Sequence, residues 1–162
     1  MIDEIGIKIL NILQGQARIP NVEVARQVGM APSAVLERIR KLEKQGVIDG
    51  YEVRLNPEFF RRSLVAFVLL RTDPADGTKD WGLCFSALPE VQEVHFLSGL
   101  DGYLLKVRTA DHRELERLLR EKILPLAPVR SHKTHIVLST QKETAKIPLH
   151  SIDPATLQPD EG

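Results

Sequence analysis

Residues 20–46 read PNVEVARQVGMAPSAVLERIRKLEKQG, and the punctuation of this stretch decides the fold of the first third of the chain. Val24, Ala25 and Val28 share one helical face before Gly29 interrupts it. Pro32 suits the first turn of a further helix, in which Val35, Ile39 and Leu42 recur at the spacing of a single buried stripe. Asn21 is the expected cap of the earlier helix and Gly46 the expected stop of the later one. Upstream, Ile2, Ile5, Ile9, Ile12 and Leu13 repeat every three or four residues, which predicts another amphipathic helix. Three helices, the last two joined by a short glycine-bearing turn, form the helix-turn-helix arrangement, with the third as the element that enters a DNA major groove. Val47 to Leu55 reads as extended, with a turn at Asp49-Gly50, so a small wing is expected to follow.

Within the third predicted helix, Arg38, Arg40, Lys41 and Lys44 are opposed locally by Glu43. A basic run of this kind is either a solvated helix face or a phosphate-binding one, and its position after the glycine turn favours the second. Ser33, Ala34 and Glu37 occupy the first turns, where such helices face base edges. Arg18 stands before the second helix, in reach of either a phosphate or the neighbouring Glu23. The candidates for DNA contact are Arg18, Ser33, Ala34, Glu37, Arg38, Arg40 and Lys41, with Asn21 and Pro32, at the starts of the two helices, counted beside them.

After Asn56-Pro57 the pattern changes to alternating strands and helices. Leu64 to Arg71 reads as a buried strand, and Trp81, Cys84, Phe85 and Leu88 mark a helical face closed by Pro89. Val91 to Ser98 and Tyr103 to Thr109 read as strands joined by a sharp reversal at Gly99-Leu100-Asp101-Gly102. Asp111, with Glu114 three positions on, caps a helix bearing Leu115, Leu118, Leu119 and Ile123. A last strand is expected at Thr134 to Leu138. The order βαββαβ is that of a ferredoxin-like sandwich, so the fold class is α+β, a winged helix-turn-helix domain followed by that sandwich. The expected division is 1–56, 57–150 and a flexible tail at 151–162, with a short strand near Ile147 to Leu149.

Composition excludes several classes. Hydrophobic residues make up 43% and charged residues 27% of 162 positions, which is ordinary for a globular protein. The apolar run Leu64 to Leu70 is far short of the roughly 20 residues that cross a bilayer, and the acidic start MIDEIGIKIL is unlike a secretory signal. A cytoplasmic location is expected. The single cysteine, Cys84, excludes an intrachain disulfide and a thiolate cluster. His132 and His135, three apart in a strand, point to opposite faces and cannot share a metal. No arrangement of nucleophile and base, no paired carboxylates and no glycine-rich phosphate loop are found, so neither catalysis nor a cofactor is expected. Asp101 and its flanking glycines fit either an ordinary hairpin turn or a loop whose amides and carboxylate receive an amino acid.

The stretch IKILNILQGQARIPNVEVARQVGMAPSAVLERIRKLEKQGVIDGYEVRLNP resembles the N-terminal signature of the Lrp/AsnC (leucine-responsive, feast/famine) regulators. LPEVQEVHFLSGLDGYLLKV and HKTHIVLSTQKETAKIPL resemble that family's effector and oligomerisation domain. The resemblance implies a DNA-binding transcription regulator in which Arg18 and Pro32 to Lys41 meet double-stranded DNA at a roughly palindromic operator. It implies homodimers that often assemble into octamers, and a small effector, commonly an amino acid, bound near Ser98, Gly99, Leu100, Asp101, Gly102 and Thr134. Two positions depart from the family pattern: Ala31 stands where serine is usual, and the loop acid is Asp101 rather than a residue three after Gly99. The same architecture resembles siroheme decarboxylases, which use histidine and arginine in the region of Val94 to Tyr103, where His95 alone is suitable. A protein that organises DNA with little sequence preference shares it too.

Overall fold

The computed structural model describes residues 2–73, 80–99 and 101–149. The chain divides into two compact units, one comprising Met1–Val53 together with the chain from Glu143 onward, the other Arg54–Lys142.

The first unit holds α1 (Glu4–Gly15), α2 (Asn21–Val28) and α3 (Pro32–Lys44). Ile9, Leu13, Val24, Ala25, Val35 and Ile39 form its core, with Ile5, Ile12, Ile19, Val28, Met30 and Ile48 packed around them. The apolar stripes read from the sequence thus meet one another. Asp3 caps α1 by accepting the Gly6 N–H at 2.8 Å. Gly29 ends α2 in the left-handed region at φ 70°, a conformation open to glycine because it carries no Cβ. The expected cap by Asn21 is not made. Asn21 is the first helical residue, Pro20 occupies the cap position without a side-chain bond, and the Pro20 carbonyl accepts from Glu23 and Val24 instead.

Beyond Gly46 the expected extended segment is present without a strand: residues 51–56 have no ladder partner among the described residues. Tyr51, Val53 and Leu55 alternate with Glu52, Arg54 and Asn56, and all three apolar side chains are exposed, Val53 by 82%. The wing of this helix-turn-helix is thus an open arm. Near the other end of the chain, the strand expected at Ile147 to Leu149 is also absent. Ile147 instead exchanges both backbone groups with the Gln14 side-chain amide, which accepts its N–H at 2.7 Å and donates to its carbonyl at 3.1 Å. That pairing satisfies the backbone without a sheet, and residues 143–149 group with the helices rather than with the sandwich. The tail at 151–162 lies outside the described residues.

The second unit opens with a short 3-10 turn, Pro57–Phe60, and continues as β1 (Leu64–Thr72), α4 (Trp81–Ser86), β2 (Val91–Leu97), β3 (Gly102–Thr109), α5 (His112–Leu118) with a π-turn at Leu119–Ile123, and β4 (Val129–Ile136). The four strands are antiparallel in the order β2-β3-β1-β4, as the ferredoxin-like sandwich requires. The last strand lies five residues earlier than expected at its start, because pairing with β1, rather than β-propensity, sets its limits: Val129 is opposite Thr72 and Ile136 opposite Ala66. Asp111 accepts the Glu114 N–H at 2.8 Å, and Glu114 reaches back to the Ala110 N–H at 2.6 Å, so the capping pair read from the sequence closes one residue further upstream than usual.

Leu64 to Leu70 is buried on one face only. Ala66, Val68 and Leu70 join Phe85, Leu105, Val107, Leu115, Leu118 and Ile123 in the core. Val65, Phe67 and Leu69 occupy the opposite face with Leu104 and Leu97, and all are half-buried. A continuous apolar run has apolar surroundings on both faces when its sheet is fully covered; among the described residues, helices cover one.

Candidate nucleic-acid interface and effector loop

Burial of Val35, Ile39 and Leu42 fixes the orientation of α3. Helical periodicity then turns Ser33, Glu37, Arg40, Lys41 and Lys44 outward, and each is exposed. Ala31 provides no side-chain cap and Pro32 no N–H, so the first turn of α3 leaves backbone amides open to an outside acceptor such as a phosphate. Arg40, Lys41 and Lys44 have no ion-pair partner among the described residues.

Arg38, predicted as a phosphate contact, is engaged inside the unit. Its Nη1 lies 2.8 Å from Asp3 Oδ1, the same oxygen that caps α1. One carboxylate thereby fixes the start of α1 and ties it to the middle of α3. The Gly6 amide foremost holds the Asp3 carboxyl below its ordinary pKa; desolvation opposes it, and the bond and charge of Arg38 add to the lowering. The sequence reading missed Asp3, whose only signal was its place at the start of the first apolar stripe. Asp3, Ala34, Glu37, Arg38 and Lys41 together line a shallow groove.

Arg18 is exposed in the turn between α1 and α2 and has no partner among the described residues. The alternative of a pairing with Glu23 does not hold, because Glu23 is occupied by Arg26 at 2.6 Å and by Gln27 at 3.0 Å. Those bonds, Arg26 first, push the Glu23 carboxyl down to about 2. Asn21 is half-buried in the first turn of α2.

In the second unit Ser98 and Gly99 open the β2–β3 reversal, with Gly99 at φ 80° and Asp101 also left-handed at φ 46°. Leu100 lies outside the described residues. The Asp101 carbonyl accepts the Thr72 N–H at 3.3 Å, which anchors the loop to the end of β1. Gly102 is required sterically: a Cβ there would fall 1.9 Å from the Leu70 carbonyl oxygen. Beside the loop, Asp73, just past the end of β1, pairs with Arg130 on β4, a pair the spacing along the chain gives no sign of because the two lie 57 positions apart.

Thr134 stands opposite Val68 on β4, whereas Gly102 stands opposite Arg71 on β3. Three residues along the strand and two strands across separate them by roughly 14 Å, so the chain does not gather the loop and Thr134 into one pocket. Thr134 Oγ1 is buried without a hydrogen-bond partner. His132 and His135 face opposite sides of the sheet, opposite Leu70 and Phe67, and no cluster of three metal-ligating side chains occurs among the described residues.

A helix-turn-helix whose third helix turns basic side chains outward, joined in one chain to a ferredoxin-like sandwich, defines a class of two-unit DNA-binding regulators. Known proteins narrow the class. Residues 2–49 match the profile of the winged helix-turn-helix DNA-binding family and residues 65–147 that of the Lrp/AsnC ligand binding domain. The chain is 42% identical over 146 residues to the leucine-responsive regulatory protein of Haemophilus influenzae, covering 88% of this chain and 87% of that one. It is 38% identical over 148 residues to the protein of that name from Escherichia coli K12, covering 90% of each. Among solved structures, it is similar to a transcriptional regulator from Neisseria meningitidis in complex with L-Met, with a TM-score of 0.86, 30% identity and coverage of 93% of this chain and 98% of that one. It is also similar to a feast or famine regulatory protein of M. tuberculosis complexed with L-methionine, with a TM-score of 0.83, 32% identity and coverage of 91% and 99%. This chain belongs to the Lrp/AsnC family, and it is a DNA-binding transcription regulator modulated by an effector.

No helix among the described residues is long and apolar enough to cross a membrane.

Proposed function

We propose that the protein acts in the cytoplasm as a homodimeric, sequence-specific regulator that reads a roughly palindromic operator and carries out no catalysis. The observation that carries this reading is the outward face of α3, where Arg40, Lys41 and Lys44 have no ion-pair partner among the described residues while the apolar face is buried in the core. Phosphates would be met by Arg18, Arg40, Lys41 and the open amides at the start of α3, and base edges by Ser33, Ala34 and Glu37. Pro32 sets the helix start without touching DNA, Asn21 lies at the edge of the contact, and Arg38 positions α3 through Asp3.

Pairing of protomers is supported by two unpartnered surfaces: the half-buried sheet face of Val65, Phe67, Leu69 and Leu104, and the exposed alternating arm at Tyr51, Val53 and Leu55. An apolar sheet face gains by covering, and an exposed extended arm bearing apolar side chains gains by packing against a partner. A two-fold dimer would place its reading helices about 34 to 36 Å apart, on successive major grooves. The effector proposed is an amino acid received near Ser98, Gly99, Asp101 and Gly102, with Thr134 supplied from another copy; association of dimers into octamers would bring these groups together. Support comes from the separation of Thr134 from the loop within one chain and from the L-methionine complexes of two similar structures.

The test is fluorescence anisotropy of the purified protein on duplex DNA from upstream of its own coding sequence, with scrambled competitor, a salt titration, and added L-methionine or L-leucine. Specific binding with a steep negative salt slope, shifted by one of the amino acids, is the expected result. Absence of binding at low salt would overturn the DNA reading, and an unchanged isotherm with either amino acid would overturn the effector reading.

A further inference from the structure

We infer that Glu37 is the residue that selects cytosine in each operator half-site, a proposal that rests on the reading of α3 as the major-groove helix. Glu37 lies in the second turn of α3, exposed, between Ser33 one turn before it and Arg40 and Lys41 one turn after. It is not consumed inside the protein. Among the described residues it has no hydrogen bond or ion pair, even though Lys41 stands four positions on. The other acidic side chain on the outer part of the helix, Glu43, accepts from the Tyr51 hydroxyl at 2.9 Å, and Asp3 at the rim of the groove is held by Arg38 and the Gly6 amide. Glu37 is therefore the free carboxylate of a face whose remaining charges are cationic.

A carboxylate brought against DNA is repelled by phosphates, so it is tolerated only where it meets a hydrogen-bond donor. The major-groove edges differ in what they present. Guanine shows two acceptors, thymine an acceptor and a methyl group, and adenine a donor beside the N7 acceptor, whereas the edge of cytosine shows its N4 amino donor alone. A carboxylate, which only accepts, fits cytosine and meets a lone pair at each of the others. Ala34, one turn before Glu37 on the same groove, leaves room for the backbone to approach. Glu37 thus serves two ends: it rewards one base and penalises DNA that lacks it there, so that the cations around it hold non-specific DNA less tightly.

The experiment is selection of a randomised duplex library by the full-length protein, followed by anisotropy on the selected duplex and its single-base variants. Glu37→Ala, Glu37→Gln and Arg40→Ala are compared with the unsubstituted protein. The unsubstituted protein should select cytosine at one position per half-site, with a loss of roughly 5- to 100-fold on its replacement. Glu37→Ala should erase the preference at that position alone while raising affinity for scrambled DNA. Glu37→Gln should move the preference toward adenine, whose N6 and N7 a carboxamide can meet together. Arg40→Ala, by contrast, should weaken all duplexes by a common factor. Glu37 is exposed and has no partner among the described residues, so both Glu37 variants should keep the parent circular dichroism. Retention of the same selected sequence by Glu37→Ala, or its equal loss of affinity for every duplex, would overturn the assignment to Glu37 while leaving the DNA reading intact. Failure of the unsubstituted protein to bind any duplex would remove both.

Discussion

The two units present different surfaces. In the helical unit the apolar stripes of α1, α2 and α3 close on one another, and Arg18, Arg40, Lys41 and Lys44 are exposed with no ion-pair partner among the described residues. In the sheet unit Lys106 is paired with Glu93 at 2.8 Å and Lys122 with Glu90 at 2.6 Å, and one sheet face presents the half-buried apolar side chains Val65, Phe67, Leu69 and Leu104. Free cations suit a polyanion, through release of its counterions. A half-buried apolar face suits another protein surface, through removal of water. The helical unit thus suits nucleic acid and, under the dimer proposed above, the sheet unit suits a second copy of the chain.

The comparison fails most visibly if the sheet is not an independent cooperative unit. Gly102→Ala places a methyl group against the Leu70 carbonyl oxygen, which β1 and β3 can relieve only by separating. The expected cost is about 3 kcal/mol or more, with collapse of the sheet unit's hydrogen-exchange protection while the amides of α1 to α3 stay protected. Uniform loss across both units would show that they fold as one.

A charge on the apolar face sharpens the comparison next. Leu69→Lys should leave the fold in place, since Leu69 is half-buried rather than in the core, but shift sedimentation from dimer to monomer. Affinity for a palindromic duplex should then fall by roughly 10²-fold through loss of bivalency, and affinity for a single half-site should not. A dimer that survives this substitution would place self-association elsewhere, with the arm at Tyr51, Val53 and Leu55 as the next surface to test.

The smallest effect falls on the helical unit. Asp3→Ala removes the α1 cap and frees Arg38, with an expected loss of about 1 kcal/mol in the denaturant midpoint of α1 to α3. Acid should reproduce it. Asp3 has its folded pKa below the ordinary carboxylate value, so its contribution is complete above the unfolded pKa of about 4 and disappears as pH falls through the lower folded one. An equal acid response in Asp3→Ala and the parent would show that other carboxylates govern this range.

Much of the fold was legible along the chain because its signals are local. Gly29 and Gly46 end helices through their own backbone freedom, Asp111 caps through a residue three positions away, and the stripes of α1 to α3 need only helical periodicity. The misreadings have the opposite character. Asn21 carries a capping side chain, yet the proline before it takes the cap position. The β-branched residues at 134–138 drew the last strand too far along the chain, because pairing with β1 sets its ends. Ile147, read as a strand residue, has its backbone groups taken up by a glutamine from the far end of the sequence.

The candidate site divides in the same way. Periodicity sufficed to place Ser33, Glu37, Arg40 and Lys41 on the outer face of α3, because a helix turns by a fixed angle per residue. Nothing in that periodicity could reveal that Arg38, on the rim of the same face, is held by Asp3, 35 positions earlier. Composition and spacing likewise marked Gly102 as a turn residue, while its steric necessity arises from a carbonyl on a neighbouring strand. The sequence by itself determined the three N-terminal helices, their buried faces and the outward position of the charges on α3, since these depend on residues a few positions apart. The tertiary structure alone decided which charges are consumed, which sheet face stays open and how far Thr134 lies from the loop, since each depends on residues that meet only when the chain folds.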